Sequence, residues 1–214
     1  MAQPDPAPIP SARRGRYAKS DETRRRILEA ALEVASRHGF HRASVARIAE
    51  CAGVAVGNLH YHFGSRESLL QELMEWLPAQ LLQRSASAIP DGAGFLESEE
   101  AIFRAYLSWV HDNPAYVRLA EEARLHHADV YRRHMALWLS LFRDRLRAGI
   151  ASGELRALDE DELAITAHLV IGARYFIDQM IQGLDGRPYP GDEAVVRTYM
   201  GLVRRGLEAA DDRR

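Results

Sequence analysis

The sequence predicts an all-α protein of about nine helices, with an N-terminal three-helix unit followed by a larger helical unit. Three observations carry this expectation. Almost every segment repeats its apolar residues at the helical period, and no segment alternates as a half-buried strand does. Glycines, prolines and capping residues stand where those periods stop and start. Ser44 to Glu67, SVARIAECAGVAVGNLHYHFGSRE, reads as two short helices joined by a glycine-containing turn, with the start of a third. That is the form of a helix-turn-helix DNA reader.

The elements follow in order. Helix 1 is expected from Asp21 to His38, with Ile27, Ala31, Val34 and Ala35 turned inward and Gly39 as its stop. Helix 2, Val45 to Ala52, starts after Ser44, a good N-cap, and stops at Gly53, which tolerates a positive φ. Helix 3 runs from about Ala55 to Phe63. Helix 4 starts at Ser65, carries Leu69, Leu70, Leu73, Met74 and Leu77, and is expected to kink or split at Pro78. Residues 89–94 form a loop by composition. Helix 5 spans about Glu97 to Asp112. Pro114 starts helix 6, at a position where its missing N–H costs nothing. Helix 7, about Ala128 to Ala151, has the clearest stripe: Tyr131, Met135, Trp138, Leu139, Phe142, Leu146 and Ile150. Helix 8 begins near Asp159, with Glu162 completing a capping-box pair, and continues to about Gln182. Helix 9 covers about Asp192 to Ala209.

A helical wheel separates the two sides of helix 3. Leu59 and Phe63 share one side, flanked by Ala55 and Val56, and can pack on Ile48 and Ala49. The opposite side carries Gly57 and Tyr61, flanked by Asn58 and His60. That face has small, hydrogen-bonding and aromatic groups and no carboxylate, so it can enter a major groove without repelling phosphate. The same wheel also describes an ordinary surface helix of a bundle.

At these residues the chain resembles a known family. Ile48-Ala49, Ala52-Gly53-Val54, Gly57, Leu59, His62-Phe63 and Ser65-Arg66-Glu67 look like the DNA-binding signature of the TetR (tetracycline-repressor) family of bacterial transcription regulators. The resemblance covers about Thr23 to Leu70, without gaps. Two positions depart from the usual pattern. Ala55 stands where the family commonly has a capping Ser or Thr, and His60 stands where Tyr is commonest. The phosphate contact usually given to that Tyr falls here to either His60 or Tyr61. The candidate DNA-binding residues are therefore Ser44, Arg47, Ala55, Val56, Gly57, Asn58, His60, Tyr61, His62 and Arg66. Arg13, Arg14, Arg16 and Lys19 of the N-terminal arm are further candidates for phosphate.

The resemblance implies a domain plan and a mechanism. Residues 1–19 are expected as a disordered basic arm, 20–66 as the DNA-binding domain, and 67–214 as a ligand-binding and dimerisation domain. The implied partners are a double-stranded DNA operator, a small-molecule inducer and a second copy joined through the last two helices. The implied function is a ligand-responsive repressor released from its operator by the inducer. The composition of the last two helices permits the pairing. Ile165, Leu169, Ile171, Gly172 and Ala173 on one, with Val195, Val196, Tyr199, Met200, Leu202 and Val203 on the other, leave apolar residues on more than one face. The rival reading is a helical ligand-binding or interaction protein with a degenerate reader, supported by the missing cap at Ala55.

Composition narrows the class. The chain has 214 residues, 47% hydrophobic and 27% charged, as in soluble globular proteins. No apolar run is long enough to span a membrane, and the first residues lack the apolar core of a secretory signal. The single Cys51 agrees with a reducing cytoplasm, and it reads as a half-buried structural residue. The net charge of −2 is uneven. Residues 1–66 hold 11 basic and 6 acidic residues, against 17 and 24 in the remainder. A basic N-terminal third fits a DNA-facing unit.

The expected ligand site lies among the helices of the second domain, at Phe103, Tyr106, Trp109, Met135, Trp138 and Arg174. Bundle cavities are usual ligand sites, mostly apolar with few polar anchors. Arg174 has two readings: a structural pair with Asp178 at i,i+4, or an anchor for an anionic ligand. His126, His127 and His134 share helix 7 or its start, but no carboxylate or Cys completes a metal set, so no metal or other cofactor is expected. No nucleophile elbow, phosphate loop or dinucleotide fingerprint is present, so no enzyme is expected.

Overall fold

The computed structural model describes residues 11–39, 42–183 and 186–209, with side chains from residue 19 onward. Among these residues nine helices follow one another: α1 (Ser11–His38), α2 (Val45–Ala52), α3 (Val56–Phe63), α4 (Arg66–Ala88), α5 (Phe95–Asp112), α6 (Ala115–His126), α7 (Ala128–Ala151), α8 (Glu160–Ile181) and α9 (Asp192–Leu207). Extended pairing among the described residues is limited to one isolated bridge between Leu155 and Glu208. No helix among them is long and apolar enough to cross a membrane.

Three boundaries differ from expectation. α1 begins at Ser11, so residues 11–19 of the expected arm are helical. Ala12, Arg13, Arg14, Arg16, Ala18 and Lys19 are good helix formers, and the prolines all precede them; residues 1–10 lie outside the described ones. Pro78 does not split α4, which continues through it with the proline buried. α5 starts at Phe95 because the Glu154 carboxylate, far along the chain, accepts the N–H groups of Phe95 and Leu96. A distant side chain thus caps a helix whose own N-cap, Gly94, has none.

The chain divides into two units, Met1–Leu73 and Met74–Arg214. The division falls inside α4 rather than at residue 66. Glu72, in the first part of α4, is tied to Arg24 of α1, so that part belongs with α1 to α3. In this unit α1 packs on α2, and α2 on α3. Ile27, Ala31, Val34 and Ala35 of α1 meet Ile48, Ala49 and Ala52 of α2 in a buried core with Leu59 and Phe63 of α3. Ser44 caps α2 by accepting the Arg47 N–H, and Gly53 ends it in the left-handed region at φ 61°, a conformation that costs glycine little.

In the second unit α5 packs on α7 and α9, and α7 packs on α6 and α8. Phe103 and Tyr199 stack at 3.9 Å between ring centroids. Around them Leu107, Val110, Leu146, Val196, Met200 and Val203 are buried. Gly149 makes the α5–α7 approach possible: a Cβ there would sit 2.9 Å from the Phe95 Cβ and 2.8 Å from a Leu155 methyl. Asp159 and Glu162 form the expected capping box at the start of α8. One ion cluster joins four helices. Glu99 of α5, fully buried, accepts from Arg174 of α8 at 2.7 Å, Arg145 of α7 at 2.8 Å and the Tyr199 hydroxyl of α9 at 2.5 Å. Burial alone would raise the Glu99 carboxyl; Arg174, Arg145 and Tyr199 outweigh it and hold it below the usual range.

Candidate nucleic-acid interface and ligand cavity

The helix-turn-helix presents α3 outward. Leu59 and Phe63 anchor it, at 0% and 6% exposure, while Tyr61 is 83% exposed. Ala55, Val56, Gly57, Asn58 and His60 are exposed with Tyr61. A Cβ added at Gly57 would meet nothing within 4 Å, so that point of the surface is open. Ala55 holds the extended N-cap geometry, φ −67° and ψ 145°, with no side-chain bond to give. The helix forms without the missing cap. His60 and Tyr61 differ in their commitments. The His60 Nδ1 lies 3.0 Å from the Gly64 carbonyl, which makes it a donor there, while Tyr61 reaches away from the fold.

Other candidates are placed less freely. Ser44 uses its hydroxyl as the α2 cap, beside exposed Arg47. His62 is half-buried, edge-on to Tyr61 at 5.2 Å and tilted on Phe63 at 6.3 Å. Arg66 is drawn inward: its Nε donates to the Ala43 carbonyl at 3.0 Å, so it ties α4 to the approach of α2. Cys51 is exposed rather than half-buried, with its thiol 3.4 Å from a Glu33 oxygen. Residues 11–18 carry no described side chains, and the roles expected of Arg13, Arg14 and Arg16 fall outside them.

Sequence reasoning missed Arg24. Its guanidinium grips the Glu72 carboxylate, donates to the His62 carbonyl at 2.6 Å and lies 4.6 Å from the Phe63 ring centroid. It therefore fixes α3 against α1 and α4. The signal was available: Arg24 precedes Ile27 by three residues and Leu28 by four, on the inward face of α1.

The second unit contains a cavity of about 220 Å³ bounded mainly by α6, α7 and α8, with Tyr106 of α5 and Leu81 of α4. Tyr106, Met135, Trp138 and Arg174 line it as expected. Phe103 and Trp109 do not. Phe103 is consumed by its stack on Tyr199, and Trp109 packs edge-on to Tyr116 at 4.7 Å. Tyr116, Tyr131, His134, Tyr175, Phe176 and Asp178 also line it, outside the six residues expected of the site. A second cavity, about 370 Å³, shares Trp138, Ile171 and Arg174 with the first.

The polar groups of the first cavity form two sets. In one, the His134 Nε2 lies 3.1 Å from the Trp138 indole nitrogen and 3.0 Å from the Tyr116 hydroxyl. An indole N–H can only donate, so Nε2 is the acceptor and the neutral imidazole carries its hydrogen on Nδ1. Burial pushes His134 down to about 4. In the other set the Tyr106 hydroxyl donates to Asp178 Oδ2 at 2.5 Å. Asp178 Oδ1 is buried and has no partner. Burial pushes this carboxyl up to about 7, against the pull of Tyr106 and Arg174. Arg174 is thus paired with Glu99 and not, as the i,i+4 spacing suggested, with Asp178. Among the described residues no three His, Cys, Asp or Glu side chains gather as a metal set. His126 is exposed and His127 ends α6.

Comparison with known proteins agrees with this architecture. The family model described as "Bacterial regulatory proteins, tetR family" matches residues 27–73. The chain is 28% identical over 134 residues to the fatty acid metabolism regulator protein of Bacillus subtilis, covering 61% of this chain and 69% of that one. It is 28% identical over 166 residues to the transcriptional repressor NicS of Pseudomonas putida, covering 74% and 76%. Its fold matches a regulator of Saccharomonospora viridis solved in complex with choline, with TM-score 0.72 and 20% identity over 89% of this chain and 100% of that one. That last likeness shows the fold, and leaves the ligand to be argued from this chain's own residues. The helix-turn-helix and the match over residues 27–73 tie the N-terminal unit to the tetR family of bacterial regulatory proteins, and the nine helices of the described residues share the fold of solved regulators.

Proposed function

We propose that the chain acts as a homodimeric repressor, which α3 seats in the major groove of an operator and which a small molecule releases. The observation that carries the DNA reading is the outward face of α3: exposed Val56, Gly57, Asn58, His60 and Tyr61, with no carboxylate, on a helix anchored by Leu59 and Phe63. Helix formation despite Ala55 disfavours a degenerate reader. Residues 20–73 supply the reader. The remainder supplies ligand binding and dimerisation. Tyr61, rather than His60, is the phosphate or base contact, because His60 spends Nδ1 on the Gly64 carbonyl.

Dimerisation is supported by what α8 and α9 leave uncovered. Ile165, Leu169 and Phe176 of α8 are 59%, 68% and 68% exposed, and Leu202 of α9 is 62% exposed. The three on α8 lie within about 40° of one another on its surface. A second copy meeting the same face would cover them and place two readers on two half-sites. The ligand enters the cavity of about 220 Å³. If it prefers a conformation with a different reader spacing, ligand and operator weaken each other reciprocally. The reading places the protein in the cytoplasm with its operator and needs no catalytic step.

The test is a gel shift with the DNA upstream of the protein's own gene, with and without candidate ligands. Ala120→Trp should fill the cavity from α6, where Ala120 lines it. Operator binding should persist while ligand response is lost. Loss of both in a folded variant, or no operator binding by the wild type, would overturn the reading.

A further inference from the structure

The first cavity holds a buried carboxylate oxygen that the protein does not satisfy. Asp178 is 3% exposed, and its Oδ1 has no partner while Oδ2 takes the Tyr106 hydroxyl. A buried acceptor without a donor is costly and marks a place where a donor is supplied from outside. The neighbouring side chains have other commitments. Arg174, one turn before Asp178, bonds Glu99 through Nη2, and its buried Nε has no partner. The Trp138 indole N–H and the Tyr116 hydroxyl both point to His134 Nε2. Tyr175 donates to Glu121 at 2.8 Å.

The wall around that oxygen favours a positive charge. Tyr106, Tyr116, Tyr131, Trp138, Tyr175 and Phe176 line the cavity, and aromatic faces attract cations. Its two acids are Asp178 and Glu121. Of its two bases, Arg174 shares the single Glu99 carboxylate with Arg145 and lies over the Phe103 and Tyr106 rings, and Arg124 is exposed in the last turn of α6. An anionic head would face the Asp178 carboxylate. A neutral hydroxyl would satisfy the oxygen but bring no charge to a carboxylate whose nearest cation, Arg174, is bonded to Glu99. Size sets the rest: about 220 Å³ is room for roughly seven waters at liquid density, enough for a one-ring molecule.

We propose that the ligand of this cavity is a protonated amine on a single-ring body, whose N–H donates to Asp178 Oδ1 and whose charge lies within the aromatic wall. This rests on the reading of the cavity as the ligand site. The Asp178 carboxyl, which gives up its proton to solvent as the ammonium binds, is the counter-ion, Tyr106 positions it through Oδ2, and the ring fills the space beside Met135 and Ile171.

Three probes with nearly the same skeleton test the charge: 2-phenylethylammonium, 2-phenylethanol and phenylacetate, titrated by calorimetry into the full chain. The ammonium should bind at least tenfold more tightly than the alcohol, and phenylacetate should bind weakest. In Asp178→Asn the ammonium and the alcohol should come within about threefold of each other. The wild-type order decides even if that variant fails to fold. Equal or tighter binding of the alcohol or of phenylacetate, binding of none of the three, or an unchanged preference in a folded Asp178→Asn would each overturn the proposal. Operator binding is read separately by gel shift. Release of the operator by an unrelated molecule, with no amine preference, defeats this inference and leaves the regulator. Amine binding as expected by a chain that ignores its operator does the reverse.

Discussion

Asp178 gives the protein a pH response whose sign follows from burial. Its carboxyl is pushed up to about 7 in the fold, whereas an unfolded Asp titrates near 3.9. The folded state therefore holds a proton that the unfolded state has released. The stability this contributes is complete below about pH 4 and is lost as pH rises through 7. The groups facing Asp178 are Tyr106 from α5, Tyr116 from α6, His134 from α7 and Arg174 on its own helix. His134 works on another limb. Pushed down to about 4, it contributes stability that is present above about 6.5 and lost as pH falls toward 4. Between pH 5.5 and 8, Asp178→Asn should therefore gain on the wild type by about 2 kcal/mol, read as a widening difference in Tm. A constant difference across that range would mean that Asp178 is already ionised in the fold. Tyr61 makes the complementary case, a residue that matters to DNA and little to stability. At 83% exposure it contributes little packing, so Tyr61→Ala should keep the wild-type Tm. Operator binding should fall by about 1–3 kcal/mol if Tyr61 touches a base or phosphate. Unchanged operator affinity in the folded variant would remove Tyr61 from the interface.

α3 and the Glu99 cluster show what elements draw from sequence and what they draw from packing. Ala55 already has cap geometry and no oxygen to offer. Ala55→Ser should let the hydroxyl accept an N–H in the first turn and raise stability by about 0.5–2 kcal/mol, read as an increase in Tm. No increase would mean that the first-turn N–H groups are already satisfied. Glu99→Ala should do the opposite. It leaves Arg174 buried without its carboxylate and unlinks α5, α7, α8 and α9, a loss of about 3–5 kcal/mol in denaturant unfolding. A loss under 1 kcal/mol would show that the cluster orients helices more than it stabilises them. Local signals made most helices legible. Ser44, Gly53, Asp159 and Glu162 act within a few residues of themselves, and the stripes of α1 and α4 are buried as the 3.6 period requires. Signals carried by distant residues were not legible. Glu154 starts α5 from some 60 positions away, and the partner of Arg174 is 75 positions away rather than four. The same limit explains the cavity. Tyr106, Met135, Trp138 and Arg174 were readable from helix faces, but only the packing shows that Phe103 stacks on Tyr199 and that Asp178 faces the space instead.

For the whole molecule, the apolar face of α8 is the feature that isolated folding does not explain. Leu169 at 68% and Ile165 at 59% exposure lie on it, clear of the cavity wall, whereas Phe176 belongs to both. A substitution at Phe176 would mix dimerisation with ligand binding. Leu169 separates them. In a symmetric dimer Leu169→Glu acts twice, once from each copy, and places two carboxylates where two leucines had lost water. Because Leu169 is exposed in the single chain, the substitution should cost the monomer's own fold little. The expected result is a folded monomer by sedimentation equilibrium, with wild-type helix content by circular dichroism. Two tethered readers gain avidity of about 10²–10⁴ over one, so operator binding by the monomer should weaken by about a hundredfold or more. The ligand cavity should keep its affinity, since Leu169 does not line it. Loss of both dimer and ligand binding would place the cavity's integrity in the pairing. A Leu169→Glu variant that stays dimeric, with operator affinity intact, would move the subunit contact away from this face of α8.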